Sequence, residues 1–265
     1  MDLATLLGLL VALGMILGGN LIEGGKMSQI AQPTAAMIVF GGTIGATMIQ
    51  FPMATFIRAM KSVATVFKQP ASHAAKLIEE IVGYATTARK DGIVALENVA
   101  GNASDPFLKR ALMMAVDGAD STAMRDALEI SIGQVEEEGE DVAKVFEAAG
   151  GYAPTIGIIG AVLGLIQVMS HLSDIEKVGE GIATAFVATI YGVGFANIMC
   201  LPIAGKLKMR TRESVAIKQM MLEGALAILE GMNPKLVRER LSALAPEEGK
   251  QEGGEGGKPA MKAAA

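Results

Sequence analysis

The stretch GYAPTIGIIGAVLGLIQVMSHLSDIEKVGEGIATAFVATIYGVGFANIMCLP, residues Gly151 to Pro202, decides the fold. It contains the apolar run 152–172 and nearly all of a second, 181–204, and the polar link 173–180 joins them. Neither run contains Asp, Glu, Lys or Arg, and each is about as long as the roughly 20 residues that a helix needs to cross a bilayer. Two such runs in tandem predict a transmembrane hairpin rather than a packed soluble core.

Two further apolar runs, 3–21 and 33–52, precede this hairpin. The first has no Lys or Arg before it and no small-residue cleavage motif after it, so we interpret it as a retained helix and not as a signal peptide. The sequence therefore predicts an all-α, polytopic membrane protein with four transmembrane helices. Two of them lie in segment 1–54 and two in segment 151–204.

The basic residues near the apolar runs predict the orientation. Arg58 and Lys61 follow the second run, and a cluster from Lys206 to Arg212 follows the fourth. Lys and Arg concentrate on the cytoplasmic side of membrane proteins, which places segments 55–150 and 205–265 in the cytoplasm and both termini inside.

The polar segments have helical signals of their own. Apolar residues at helical spacing predict a helical cytoplasmic domain over 55–150, with a helix start at Asp105-Pro106. A long helix over 121–148 should run towards the third crossing and break near Gly150-Gly151. Residues 205–245 should form C-terminal helices, with a restart at Asn233-Pro234, and the Gly-rich, charged tail 246–265 should be disordered.

The composition argues against several classes of function. The 265 residues carry a net charge of −5, which gives no case for nucleic-acid binding. The single cysteine, Cys200, lies in an apolar run, and the two histidines, His73 and His171, lie far apart, so no metal site is predicted. No catalytic or cofactor-binding motif is present. We expect neither an enzyme nor a bound cofactor.

The absence of Asp, Glu, Lys and Arg from the four apolar runs bears on ion transport. A route for protons or sodium normally needs an ionisable or liganding group at membrane depth. Here only groups such as Thr155 and Thr189 are available, so a titrating carboxylate would have to come from a partner. The simpler alternative is that these threonines bond their own helix backbone.

Two other features of the runs have alternative interpretations. Pro154 and Pro202 each either kink a helix or mark its end. Gly41 with Gly45, and Gly160 with Gly164, have the spacing at which helices approach closely, as they would around a partner helix or simply against each other.

The runs AAGGYAPTIGIIGAVLGLIQVM, from residue 148, and GEGIATAFVATIYGVGFANIMCLPIAGKL, from residue 179, carry a resemblance. They resemble the flagellar motor stator A subunits, the MotA/PomA family, which is related to the ExbB and TolQ proton-channel subunits. The resemblance covers nearly the whole chain except the tail. ExbB and TolQ have one crossing before the cytoplasmic domain, whereas two are predicted here.

This resemblance implies a subunit of the bacterial cytoplasmic (inner) membrane that serves flagellar rotation and chemotaxis. Five A subunits would surround two MotB-type B subunits, which supply the ion-binding carboxylate. Ion flow through this channel would become torque on the rotor protein FliG through the cytoplasmic domain.

The resemblance also assigns roles to individual residues. Pro154 and Pro202 match prolines that couple ion binding to movement of the cytoplasmic domain. In the segment TTARKDGIVALEN, Arg89 and Glu97 match the rotor-facing charges, with Lys90 beside them. Lys90 and Glu97 are nearly two turns apart, so they would share a face if the helix continued through Gly92.

The predicted ion pathway comprises Thr189, Ala161 and Thr155, and the residue at position 161 decides the predicted ion choice. Thr189 matches a threonine found across the family. Sodium-driven members carry a second threonine at the position of Ala161, where this chain offers no side-chain oxygen. A proton needs only the partner's carboxylate, so we predict a proton-driven stator. The alternatives are an ExbB/TolQ-like proton-channel energiser of envelope transport and a membrane scaffold without ion flux.

Overall fold

The computed structural model describes residues 2–68 and 74–246, and these are helical with no β-strand among them. The predicted all-α membrane fold is confirmed. The α-helices are α1 (Leu3–Ile22), α2 (Met27–Ile30), α3 (Pro33–Ala36), α4 (Gly42–Gln50), α5 (Met53–Val66), α6 (Ala74–Asp91), α7 (Glu97–Ala100), α8 (Pro106–Val116), α9 (Ser121–Ser170), α10 (Ile175–Gly194), α11 (Leu201–Leu229) and α12 (Pro234–Leu244).

Two π-helices and one 3₁₀-helix complete the described chain. Segment π1 (Met37–Gly41) joins α3 to α4, and π2 (Phe195–Cys200) joins α10 to α11. The 3₁₀-helix Ile93–Leu96 precedes α7. The predicted disordered tail lies outside the described residues, apart from Pro246.

The chain divides into two compact units. Unit 1 comprises Met1–Gln69 and Glu138–Met209, and unit 2 comprises Pro70–Glu137 and Arg210–Ala265. Three helical stretches are long and apolar enough to cross a membrane: Leu3–Ile22, Ser121–Ser170 and Ile175–Leu229. The remaining apolar run, 33–52, forms the consecutive segments α3, π1 and α4.

The expected break near Gly150-Gly151 is wrong, because α9 continues through both glycines and through Pro154. Gly150 serves close packing instead. A Cβ placed on this buried residue would lie 2.7 Å from Cδ2 of Leu201, so a larger side chain would push the two helices apart.

The polar link between the third and fourth apolar runs, predicted at 173–180, is also shorter in the structure. Helix α9 ends at Ser170 and α10 begins at Ile175, where the Asp174 side chain accepts a hydrogen bond from the backbone N–H of Lys177. A side-chain cap of this kind satisfies one of the free N–H groups at a helix start. Helical residues then continue from Ile175 to Leu229 without an interruption at Pro202.

In unit 1, α9 and α10 pack through small residues. A Cβ on Gly164 would lie 2.8 Å from the carbonyl oxygen of Gly181, and one on Gly192 would lie 2.5 Å from that of Ala153. This supports the predicted packing role of Gly160 and Gly164. By contrast, Cβ atoms at Gly41 and Gly45 would meet no atom within 4 Å in the described chain.

Unit 2 has the larger apolar core. It draws on α6, α8, the first part of α9, the last part of α11, and α12; fully buried members include Ile81, Leu108, Leu128, Met221 and Leu226. Asp105 caps α8 by accepting from the Phe107 N–H at 2.7 Å, with Pro106 in the first turn, as the sequence predicted. Helix α12 likewise begins at Pro234, after the cap Asn233.

Candidate ion pathway, coupling elements and rotor-facing segment

Two of the predicted ion-pathway residues lie where α10 and α9 touch. Thr189 is half-buried, and a Cβ placed on Gly157 of α9 would lie 3.5 Å from the Thr189 Cα. Ala161, also half-buried, follows Gly157 by one helical turn. Thr155 is exposed, and its hydroxyl donates a hydrogen bond within its own helix.

The threonine hydroxyls donate to their own helices. The Thr189 hydroxyl donates to the Ala185 carbonyl at 3.2 Å, and that of Thr155 donates to the Tyr152 carbonyl at 2.8 Å. Both hydroxyl hydrogens therefore bond the helix's own backbone, as the simpler alternative from the sequence predicts. The hydroxyl oxygens keep lone pairs that can accept from a water or a hydrated proton, whereas Ala161 has no side-chain oxygen at all.

The two prolines predicted to couple ion binding to movement, Pro154 and Pro202, lie inside continuous helices, so the helix-end interpretation is excluded for both. Each proline lacks an N–H, which leaves the carbonyl four residues earlier without its helical donor: Gly150 for Pro154 and Ile198 for Pro202. Ile198 belongs to π2, which ends two residues before Pro202. Both prolines therefore interrupt the backbone hydrogen bonds of a helix that otherwise runs on.

Polar contacts connect the turns beside these prolines to other helices of unit 1. The Tyr152 hydroxyl donates to the Gln50 Oε1 at 2.8 Å, two residues before Pro154. Lys206, one turn after Pro202, pairs with Asp2, whose backbone N–H donates to the Phe67 carbonyl at 3.0 Å. The hydrogen bond from Lys206 holds the pKa of Asp2 at about 2, below its ordinary value.

An aromatic cluster joins the two π-helices. The Phe40 ring of π1 stacks on Tyr191, with centroids 5.7 Å apart, and meets the edge of Phe195 of π2 at 5.1 Å. The Tyr191 hydroxyl donates to the Ile30 carbonyl at 2.5 Å and accepts from the Gln32 N–H at 3.3 Å. No pattern in the sequence predicts this cluster, because Phe40 is far along the chain from Tyr191 and Phe195.

In unit 2, the predicted rotor-facing charges are exposed, but they do not lie on one helix. Helix α6 ends at Asp91 after Arg89 and Lys90, and Gly92 turns the chain with φ of +85°. The condition for a shared face of Lys90 and Glu97, a helix that continues through Gly92, is therefore not met, because Glu97 begins a separate helix, α7. Within residues 74–246, Arg89, Lys90 and Glu97 have no ion-pair partner.

The segment that carries these charges is nevertheless well anchored. Leu96 is fully buried in the unit 2 core. Glu80 of α6 accepts from the Ser104 N–H at 2.9 Å and from the Tyr84 hydroxyl at 3.1 Å. Burial, together with the neighbouring Glu80 carboxylate, raises the pKa of Tyr84 to about 12, so this hydrogen bond persists at neutral pH. The charges are thus presented on an ordered turn.

The described parts of the chain contain no group of three or more His, Cys, Asp or Glu side chains that could hold a metal ion.

Comparisons with known proteins agree with this architecture. Residues 99–220 match the MotA/TolQ/ExbB proton channel family, and residues 6–91 match the motility protein A N-terminal family. Motility protein A of Bacillus subtilis (strain 168) is 36% identical over 251 residues, covering 93% of this chain and 92% of that protein.

Two solved structures have the same fold. One is the structure of C. jejuni MotAB, with a TM-score of 0.88, 30% identity, and coverage of 94% of this chain and 97% of that one. The other is the flagellar MotAB stator complex from Bacillus subtilis, with a TM-score of 0.85, 33% identity, and coverage of 94% and 99%.

These matches first define the class: a membrane protein of the MotA/TolQ/ExbB proton channel family. Within this class the chain belongs to the motility protein A family, whose members are flagellar stator subunits. The match to the motility protein A N-terminal family spans most of the apolar runs 3–21 and 33–52, the predicted feature that separates this chain from ExbB and TolQ.

Proposed function

We propose that this chain assembles with a MotB-type B subunit into a proton channel that drives rotation of the flagellar rotor. The observation that carries the proposal is that the four apolar runs contain no Asp, Glu, Lys or Arg, although the chain belongs to a proton channel family. A buried carboxylate from a partner would supply the titrating group. The solved relatives are complexes of MotA with MotB, which fits that requirement.

The proposed assembly is a ring of five such chains around two B subunits in the bacterial inner membrane. Each chain would cross the bilayer four times, with both termini in the cytoplasm. The basic residues beside the apolar runs support this orientation. The predicted boundaries would then place 55–150 and 205–245 in the cytoplasm.

Protons are the proposed ion. Sodium must exchange its water shell for several oxygen ligands, and Ala161 supplies none beside Thr189. The oxygen of Thr189 would accept from a hydrated proton on its way to the partner's carboxylate. Thr155, whose side chain is exposed, is the third proposed position of the ion pathway.

Pro154 and Pro202 are the proposed coupling points, because a helix that lacks one backbone hydrogen bond bends at a lower cost than an intact one. Arg89, Lys90 and Glu97 would contact the rotor protein FliG. Exposed charge pairs contribute only about 0–1 kcal/mol each, which suits contacts that must form and break repeatedly.

A measurement of proton flux tests the proposal that the complex is a proton channel. The full chain and its B subunit, reconstituted in vesicles with the B subunit's channel unblocked, should carry protons along an imposed gradient. The chain alone should carry none, since it lacks the titrating group. Flux through the chain alone would contradict the proposal, and no flux through the complex would favour a scaffold.

A further inference from the structure

The predicted rotor-facing charges of unit 2 lie on two different helices. Arg89 and Lys90 end α6, whereas Glu97 begins α7 beyond the turn at Gly92. A single helix would fix the spacing of such charges through its own backbone hydrogen bonds. Here the spacing depends instead on the contacts that hold the segment around α7 against α6.

Apolar burial holds α7 to the rest of unit 2, but it does not by itself set the orientation of this short helix. Leu96, directly before α7, and Ala100, at its end, are both fully buried in the unit 2 core. The hydrophobic effect is non-directional, so it favours burial of these two side chains in more than one orientation. Helix α7 has four residues, little more than one turn, and therefore needs a directional contact to fix its position.

The Glu80 carboxylate supplies such a contact from α6, about two and a half turns before Arg89. Ser104 lies between the turn that follows α7 and Asp105, the cap of α8. The Ser104 N–H donates to the Glu80 Oε1 at 2.9 Å, and the Ser104 hydroxyl donates to the Glu80 Oε2. Both oxygens of one carboxylate on α6 therefore hold the chain that follows α7.

The Glu80 carboxylate is itself held in place from the core. Tyr84, about one turn further along α6, is buried in the unit 2 core and donates its hydroxyl to the Glu80 Oε1 at 3.1 Å. Glu80 is half-buried, and it forms no ion pair with another residue of 74–246. Its charge is therefore engaged by hydrogen-bond donors of its own helix and of Ser104, and not by a cation.

We propose that Glu80 is a positioning residue for the rotor contact, because it sets where Glu97 lies relative to Arg89 and Lys90. The inference rests on the proposed contact between this segment and FliG. Glu80 acts through Ser104 as an acceptor of hydrogen bonds, and it does not itself touch the rotor. An uncharged acceptor of the same shape should therefore replace it, whereas a side chain without an oxygen should not.

The test compares three variants by the torque of single motors and by proton flux through the complex with the B subunit. Glu80→Ala should lower torque and leave flux as in wild type. Glu80→Gln should keep torque, since the glutamine Oε1 still accepts from the Ser104 N–H. Glu79→Ala is the matched control: it removes the neighbouring carboxylate of α6, which accepts from Arg238 of α12 at 2.7 Å, and it should keep torque.

Backbone hydrogen exchange of the purified complex tests the positioning step without any rotor present. In Glu80→Ala the Ser104 amide should exchange about tenfold faster than in wild type, as expected when one hydrogen bond to a charged acceptor is lost. In Glu79→Ala its exchange should stay as in wild type. An unchanged rate in Glu80→Ala would overturn the proposal.

Torque has two outcomes that would also overturn it. Equal loss in Glu80→Gln and Glu80→Ala would show that the charge of Glu80 acts directly. Wild-type torque in Glu80→Ala would show that Glu80 sets nothing that the rotor reads. Arg89→Glu, measured alongside, separates this second failure from a failure of the rotor contact, because it lowers torque only where that contact exists.

A double variant tests the link between Glu80 and Glu97. In the Glu80→Ala background, Glu97→Lys should reduce torque by a smaller factor than it does in wild type, because Glu97 has already left its position. Equal factors in the two backgrounds would contradict the proposal. Should Glu80→Ala not assemble, Ser104→Ala replaces it: this exposed residue then loses one of its two hydrogen bonds to Glu80, and torque should again fall.

Discussion

At the scale of single residues, Asp2 shows how one side chain ties several helices of unit 1 together. It caps α1 by accepting from the Thr5 N–H at 3.3 Å, pairs with Lys206, and its backbone N–H donates to the end of α5. An Asp directly before an apolar run is a recognised helix-start signal. The partner Lys206 was not predictable, because the sequence separation is large and no pattern links the two.

Asp2→Asn tests this ion pair through pH. Asn caps a helix as well as Asp, so the variant removes only the charge. The pKa of Asp2 is lowered to about 2 by Lys206, so the pair stabilises the fold above about pH 4. That stability is lost as the pH falls towards 2. The melting temperature of the variant should lie below that of wild type at pH 6, and the difference should vanish near pH 2. A difference unchanged at pH 2 would contradict the assignment.

At the scale of elements, the α9–α10 contact depends on residues without side chains. Gly192→Ala should destabilise unit 1 by about 1–3 kcal/mol, since its Cβ would meet the Ala153 backbone, which cannot yield as a side chain can. Gly194→Ala is the control, because it meets nothing within 4 Å. Unfolding of the two variants in detergent should separate them, and equal stability would argue against close packing at Gly192.

The π-helix beside Pro202 leads to a second element-scale prediction. Pro202→Ala restores an N–H and lets the helix close its missing hydrogen bond, which should stiffen it. We expect normal assembly and membrane insertion but loss of rotation. Pro234→Ala, at the start of α12, where an N–H is not needed, is the control. Single-motor rotation is measured for both variants, and normal rotation in Pro202→Ala would contradict a coupling role for Pro202.

Helices that are marked by amino-acid composition were predicted more accurately than those that depend on close packing or on a single backbone angle. Three of the four uncharged apolar runs lie in helical stretches long and apolar enough to cross a membrane, whereas run 33–52 is divided into α3, π1 and α4. Asp105-Pro106 marked a helix start correctly. The pair Gly150-Gly151 led to the wrong prediction of a helix break, because each glycine destabilises a helix by roughly 1 kcal/mol. The helix nevertheless keeps Gly150, because close packing against Leu201 requires a residue without a Cβ. The glycine at position 92 makes a helix break there possible, but only the structure shows the positive φ that places Lys90 and Glu97 on separate helices.

At the scale of the whole molecule, the rotor-facing charges should affect torque and leave the channel alone. Arg89 is exposed and unpaired within the described part of unit 2, so Arg89→Glu should change stability by no more than about 0.5 kcal/mol. Torque should fall while proton flux through the complex stays as in wild type. Arg110→Glu makes the same charge change at an exposed position of α8 and should leave torque and proton flux unchanged. Equal torque in the two variants would count against rotor contact at Arg89.

The most direct test of the account is single-motor rotation in cells whose only stator contains this chain. Sodium is varied at fixed pH, and a protonophore is then added. Rotation should not respond to sodium and should stop with the protonophore, because protons alone reach the partner's carboxylate past Ala161 and Thr189. Rotation that follows sodium and survives the protonophore would contradict the proton-driven mechanism.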